Sequence, residues 1–471
     1  MSHRPLYKKT SHNYIWLLLL SAAVVWAAKY AYVHYWRFNP QQLVEESELN
    51  GKSFEVEVKE VVSPRLRLKA YLFEDKTNPI INVSLVFKNA GYTTDNDDEQ
   101  GIADLTADLL VEGAGQLDSS SFKEELAQKA IGLNFTVGKD DFTGSLMTTR
   151  ENMQRAFELL KLSLSEPRFD DADVERIKKQ QLELLKRQKE YPENKLDLKF
   201  YEVLFGNHPY ARNPLGKESD IKNVTSEKLK TFVRDNLNRQ NLLIGVAGDI
   251  SVDETEKMLD FVFSGLMANG KINFVRQPEV KFDGRKEQIK QKTGQIITQK
   301  AVRGVSRNDK DFYPLFVANQ ILGGSGLTSR LSQKIREDKG LTYGVYSYLT
   351  IDDKAPLIVS SFATTAENYD EAEALFRKEW QNFASKGISE EELEKTKSYL
   401  TASYNLRFNS LGMIAEILTA MQKYNLGLDF LQKRNDYVRQ VSWQEVNDAA
   451  RKYFNEQELV EVIIGDFGTK E

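Results

Sequence analysis

The chain of 471 residues contains no cysteine, which excludes a disulfide framework, a thiolate nucleophile and a thiolate zinc site. Histidine is almost as scarce, with only His3, His12, His34 and His208. The first three lie in the N-terminal segment, so a site in the folded body has one imidazole at most. Charge of one sign is also lacking. The formal net charge is −5, no basic face is implied, and nucleic acid is not an expected partner. The rest is ordinary globular composition, 41% hydrophobic and 28% charged. A chain of this length can build two or three domains, each with its own core.

The N-terminus reads as a membrane element. Tyr14 to Ala28 (YIWLLLLSAAVVWAA) carries no charge, and apolar character resumes after Lys29 as YAYVHYW, ending at Trp36. Residues 14–36 would span roughly 34 Å as a helix, enough to cross a bilayer. Tyr14 and Trp16 at one end, and Tyr30, Tyr32, Tyr35 and Trp36 at the other, resemble interfacial aromatic belts. Arg4, Lys8 and Lys9 precede the span without an acid, whereas Glu45, Glu46 and Glu48 follow it. The positive-inside rule then keeps residues 1–13 cytoplasmic and exports the body. A cleaved signal peptide is the alternative, with weak cleavage sites at Ser21-Ala22-Ala23 or Val25-Trp26-Ala27. Either way the body is exported, and an exported protein without cysteine fits a bacterial envelope, anchored at the inner membrane with the body periplasmic.

The body repeats itself. VTSEKLKTFVRDNLNRQNLLIGVAGDIS from Val224 aligns without a gap with VSWQEVNDAARKYFNEQELVEVIIGDFG from Val441, at an offset of 217 with seven identities. Each copy places Ser or Thr before a helix, then a turn, then a β-rich run closed by Gly-Asp. TTREN at 148–152 matches TTAEN at 364–368, and DVER at 173–176 resembles ELEK at 392–395, at offsets of 216 and 219. A near-constant offset over such distances indicates a duplicated domain. The expected division is residues 45–265, a polar linker at 266–290, and residues 291–471. Strands and helices come in runs, which favours α+β over a doubly wound sheet.

Within the first copy, GIADLTADLL places Asp104 and Asp108 four residues apart, on one face of a helix. A metal site, an acid/base pair, and two solvated acids near a helix start all fit that spacing.

Two longer stretches narrow the choice. GNHPYARNPLGKESDIKNVTSEKLKTF from Gly206 and LGGSGLTSRLSQKIREDKGLTYGVYS at 322–347, with the two-copy organisation, resemble the pitrilysin/insulinase family of inverted-motif zinc peptidases. The likeness is greatest to its small bacterial, mitochondrial-processing-peptidase-like type and covers roughly residues 50–471. It implies two homologous domains, each with a mainly antiparallel sheet packed against helices. Family members carry H-x-x-E-H just after Gly-[Ile/Leu]-Ala: two His bind zinc, the Glu polarises water, and a downstream Glu is the third ligand. Here Gly101-Ile102-Ala103 is followed by Asp104 and Asp108 at the histidine positions and Ala107 at the base position. Glu183 occupies the third-ligand region. Zinc sites of this kind rely on imidazole, whereas carboxylates alone suit a harder ion. With Ala107, no carboxylate is left there to take a proton from water, so this chain is expected to bind no zinc.

On the other half, Arg336 closes a helix-like run ending at Gly340, and Tyr343 follows where a strand is expected to start, sharing a face with Val345 and Ser347. In the related peptidases an Arg and a Tyr at this spacing contact the substrate carbonyl opposite the zinc. Gly323, Gly324 and Gly326 form either a substrate-facing loop or a helix-entry turn, and His208 reads as a structural loop residue. The resemblance implies a divided enzyme: a zinc-free, membrane-anchored subunit that binds extended peptide and supplies Arg336 and Tyr343 to a homologous H-x-x-E-H partner carrying the zinc. A non-catalytic peptide-binding scaffold and a self-sufficient metallopeptidase with carboxylate ligands are the alternatives.

Overall fold

The structure, a computed structural model, describes residues 57–271, 273–326 and 328–467. The tail and membrane span expected at 1–13 and 14–36 lie outside the described residues. Among those described, no helix is long and apolar enough to cross a membrane.

Two sheets organise the body. The first contains β1 (Val58–Val62), β2 (Lys69–Glu74), β3 (Ile80–Lys88), β4 (Gly132–Val137), β5 (Asp141–Thr149) and β6 (Leu242–Gly248), in the order β1-β2-β6-β3-β5-β4. The second contains β7 (Lys286–Lys290), β8 (Ile296–Arg303), β9 (Val345–Leu349), β10 (Leu357–Thr364) and β11 (Val460–Gly465), in the order β7-β11-β8-β10-β9. Without β1 the two orders coincide strand for strand. Each sheet has one parallel pair, β2 with β6 and β7 with β11, and is otherwise antiparallel. The expected mainly antiparallel α+β pair is therefore present as two mixed sheets packed against helices. β7 lies at the end of the stretch expected to be linker, so the second sheet starts there rather than at residue 291.

The residues shared by the two copies do the same work in each. Thr225 accepts the Lys228 N–H at the start of helix Ser226–Asn236, and Ser442 accepts that of Glu445 at the start of Trp443–Tyr453. Asn238 and Asn455 each accept the N–H two residues on, from Gln240 at 3.1 Å and Gln457 at 3.0 Å, shaping the turn into β6 and β11.

One face of each sheet is covered by helices of its own half, which builds the two largest cores. The opposite face is covered by a helix from the other half. Helix Pro192–Phe205 places Leu196, Phe200 and Leu204, spaced at i, i+4, i+8, against Val359, Val462 and Ile464 of the second sheet. Helix Leu411–Lys423 returns the exchange, with Ile414, Ala415 and Leu418 against Tyr71, Phe73 and Ala247 of the first. The approach is close at Gly245, where a Cβ would stand 2.2 Å from the Ala415 carbonyl oxygen. Only glycine admits the helix there.

Candidate functional site

The helix on which the resemblance places a degenerate zinc site, Ile102–Leu109, is anchored by its apolar face, with Ile102, Leu105 and Leu109 in the core. Gly101 precedes it at φ +94°, where a side chain would meet the Leu215 carbonyl, and its N–H donates to Asp95 Oδ2 at 2.8 Å. On this scaffold Asp104 is mostly buried and Asp108 exposed, and Ala107 is packed into the core. Neither Asp104 nor Asp108 has a hydrogen-bond or ion-pair partner among the described residues. Burial, then the neighbouring Asp108, pushes the Asp104 carboxyl up to about 7. Burial and Glu112 push Asp108 up as well.

The other acids do not complete a ligand set. Glu183 is exposed and paired with Lys186 at 2.7 Å on its own helix. Glu112, one turn past Asp108, is held by Lys123 and Arg176 at 2.5 Å each and by Ser119. Burial acts to raise its carboxyl, but those three donors bring it below the usual range, which makes it a poor proton acceptor. Among the described residues, no group of three or more His, Cys, Asp or Glu could hold a metal ion. The donor set does not fit zinc: among the described residues no imidazole lies beside Asp104 and Asp108, position 107 is Ala, and Glu112 is committed to Lys123, Arg176 and Ser119.

One acid escaped the sequence reading. Asp95 is almost fully buried beneath Gly101 and pushed up to about 8 by burial, with one oxygen lacking a hydrogen-bond partner among the described residues. The run TTDNDDEQG reads as a solvated turn, and nothing local marks which of its acids turns inward.

The opposite half presents the Arg/Tyr pair. Ser332–Glu337 forms a π-helical segment closed by Gly340 at φ +64°, as expected for its left-handed end. The Gly340 N–H donates to Arg336 O at 2.9 Å and the Leu341 N–H to Ile335 O at 3.0 Å. Arg336 is exposed, with Glu337 at 3.4 Å. Tyr343 is 88% exposed, between the buried Thr342, which donates to Ala363 O at 2.7 Å, and the start of β9. The strand begins at Val345, so Tyr343 lies before it and does not share the face of Val345 and Ser347. Those two are buried, while Tyr346 and Tyr348 point out and stack at 6.2 Å.

The glycines divide by role. Gly323 ends helix Phe312–Gly323, and a Cβ there would stand 2.5 Å from Ser347 Oγ; one at Gly324 would meet the Gln320 side chain. Both allow packing at the end of this helix, so they form a helix exit rather than a helix-entry turn. Gly326, at φ +111°, faces open space. His208 accepts the Tyr210 N–H at Nδ1 and bonds the Arg276 carbonyl through Nε2 at 2.8 Å, a structural loop histidine.

The sheet edges differ in charge. The β1 edge carries Lys59 and Glu60 and the β7 edge Lys286, Glu287 and Lys290, whereas β4 (GLNFTV) and β9 (VYSYL) carry none. Charged edges discourage strand addition, and uncharged ones leave it open.

A duplicated α+β body, with two acids and no imidazole on helix Ile102–Leu109 of one half and an exposed Arg and Tyr in the other, is the architecture that the family resemblance implies, without its histidine ligand pair. Residues 70–218 match Insulinase (Peptidase family M16), and residues 223–400 match Peptidase M16 inactive domain. The chain belongs to peptidase family M16. A relative from Helicobacter pylori named Non-peptidase homolog YmxG is 26% identical over 83% of this chain and 90% of its own length. A relative from Bacillus subtilis named Uncharacterized zinc protease YmxG is 24% identical over 77% and 88%. The crystal structure of a peptidase M16 inactive domain from Pseudomonas fluorescens matches with a TM-score of 0.82 at 26% identity, over 88% of this chain and 99% of that one.

Proposed function

We propose that this chain is the zinc-free subunit of a heteromeric metallopeptidase. It holds an extended peptide along an uncharged sheet edge and offers Arg336 and Tyr343 to the scissile carbonyl, while a homologous H-x-x-E-H subunit carries the zinc. In this reading residues 14–36 anchor it in a bacterial inner membrane, with the body in the periplasm. One observation carries the proposal: Arg336 and Tyr343 are exposed, yet lie on a backbone pinned by Gly340 and Thr342. A guanidinium and a phenol brought to the substrate carbonyl can donate to an oxygen that gains charge, where a donor fixed in the assembled site is worth about 3 kcal/mol of barrier.

The test is peptide hydrolysis by this chain, by an H-x-x-E-H homologue from the same organism, and by their mixture. The account expects hydrolysis in the mixture only. Hydrolysis by this chain alone, or full activity of the homologue alone, contradicts it. A second reading, a non-catalytic peptide-binding scaffold, is favoured by the name of the Helicobacter pylori relative. It predicts peptide binding by this chain and no change in hydrolysis on mixing.

A further inference from the structure

The second half of the body carries a buried charge cluster that the first half lacks. Lys300 on β8 and Glu461 on β11 stand opposite each other, fully buried, and form an ion pair. Lys300 also meets Glu373 of helix Tyr369–Lys386 at 2.9 Å. Arg377 joins the two acids, at 2.5 Å from Glu373 and 2.7 Å from Glu461. The rings of Phe362 and Phe376 close over the ammonium.

The repeat identifies the same positions in the first half. Glu461 corresponds to Ile244 and Lys300 to Leu85, which stand opposite each other across β6 and β3. Glu373 corresponds to Phe157. All three counterparts are buried hydrophobic residues. One half closes its core with an ionic triad where the other uses an apolar one.

The chain has to tell its halves apart. The two sheets have the same strand order, and each half sends a helix across the other's sheet, so the halves assemble interleaved. Backbone hydrogen bonding does not distinguish β11 beside β8 from β11 beside β3, and repeat proteins misassemble by exchanges of this kind. Side chains do distinguish them. With β6 and β11 exchanged, Glu461 would lie against Leu85, away from Lys300 and Arg377, while Lys300 would face Ile244 and keep only Glu373; burying an acid without its counter-ions is strongly unfavourable.

We propose that the Lys300–Glu461–Glu373 cluster is a pairing key, which admits β11 beside β8 and rejects exchange of strands between the halves, within one chain or between two copies. A purely stabilising role makes a different forecast, because well-packed hydrophobic residues commonly replace a buried ion pair at no cost in stability.

The absence of cysteine supplies the reporter. In the exchanged pairing Val462 would take the place of Gly245, where a Cβ meets the Ala415 carbonyl, so Val462→Gly is made in every sample. Ile463 would stand opposite Val83, the native partner of Val246, and Val83→Cys/Ile463→Cys then cross-links only exchanged chains. The full-length chain with these substitutions, in detergent, is refolded from urea under oxidising conditions with and without Lys300→Leu/Glu461→Ile/Glu373→Phe, which copies the apolar triad into the second half. The key predicts a several-fold larger cross-linked fraction when the triad is apolar. Equal cross-linking in both backgrounds overturns it, whether or not the apolar variant regains its native fold.

Discussion

Lys300→Met leaves two carboxylates in the core of the second half with Arg377 between them and Lys286 at 3.8 Å from Glu461. Removing one partner of a buried ion pair costs about 3–5 kcal/mol. Because Arg377 keeps its contacts with both acids, the lower end applies, about 3 kcal/mol against a total stability of roughly 5–15. Burial acts to raise the Glu373 carboxyl, and Lys300, aided by Arg377, brings it below the usual range. In the native protein Glu373 thus contributes stability above the unfolded carboxyl pKa, lost only as pH falls through its lowered folded value. Without Lys300, burial prevails and the folded state takes up a proton more readily than the unfolded chain. The deficit of the variant is therefore largest near pH 7.5 and shrinks towards pH 5. Urea unfolding at the two pH values measures both effects, followed by the fluorescence of Trp380, which is buried and stacked on Phe376 at 5.4 Å. A loss below about 1 kcal/mol, or one that does not diminish on acidification, refutes the reasoning.

Other consequences follow from single sites. Gly245→Ala pushes helix Leu411–Lys423 off the first sheet, since a methyl would meet the Ala415 carbonyl at 2.2 Å; a loss of about 1–3 kcal/mol in urea unfolding is expected. Asp104→Asn is expected to stabilise. The Asp104 carboxyl is raised to about 7, so its ionised form opposes folding above that pH, and the penalty disappears below the unfolded value. The gain should be roughly 1–3 kcal/mol at pH 8 and close to nothing at pH 4. Arg336→Ala/Tyr343→Phe should leave the unfolding midpoint unchanged within the range of surface substitutions, about 0.5 kcal/mol, because both side chains are exposed.

The repeat was legible because its shared residues, Thr225 and Ser442, Asn238 and Asn455, make the same backbone bonds in both halves, and such local roles survive in sequence. The crossing helices were not. Leu196, Phe200 and Leu204 announce an apolar face, but a helical period says nothing about which sheet receives it. Lys300 escaped for a related reason: a lysine within a strand reads as solvated, and its partners Glu373 and Glu461 lie far away in the chain. At the candidate site, the four-residue spacing shows Asp104 and Asp108 on one helix face, and their place with Ala107 at zinc-site positions is what the resemblance to the pitrilysin/insulinase family implies. The place of Tyr343 depended on where β9 starts, and a strand boundary is set by ladder hydrogen bonds that a side-chain pattern does not record. Glu183 was assigned by its distance along the chain, and the helix turned it towards Lys186.

The central claim is that Arg336 and Tyr343 act on substrate held with a zinc-bearing partner. The most direct measurement compares kcat and KM for peptide hydrolysis by the mixed subunits, with this chain wild-type or Arg336→Ala/Tyr343→Phe. The account predicts a fall in kcat of about 10²-fold or more with assembly and unfolding midpoint unchanged. Full kcat in the doubly substituted mixture contradicts it and leaves the pair without a part in the reaction.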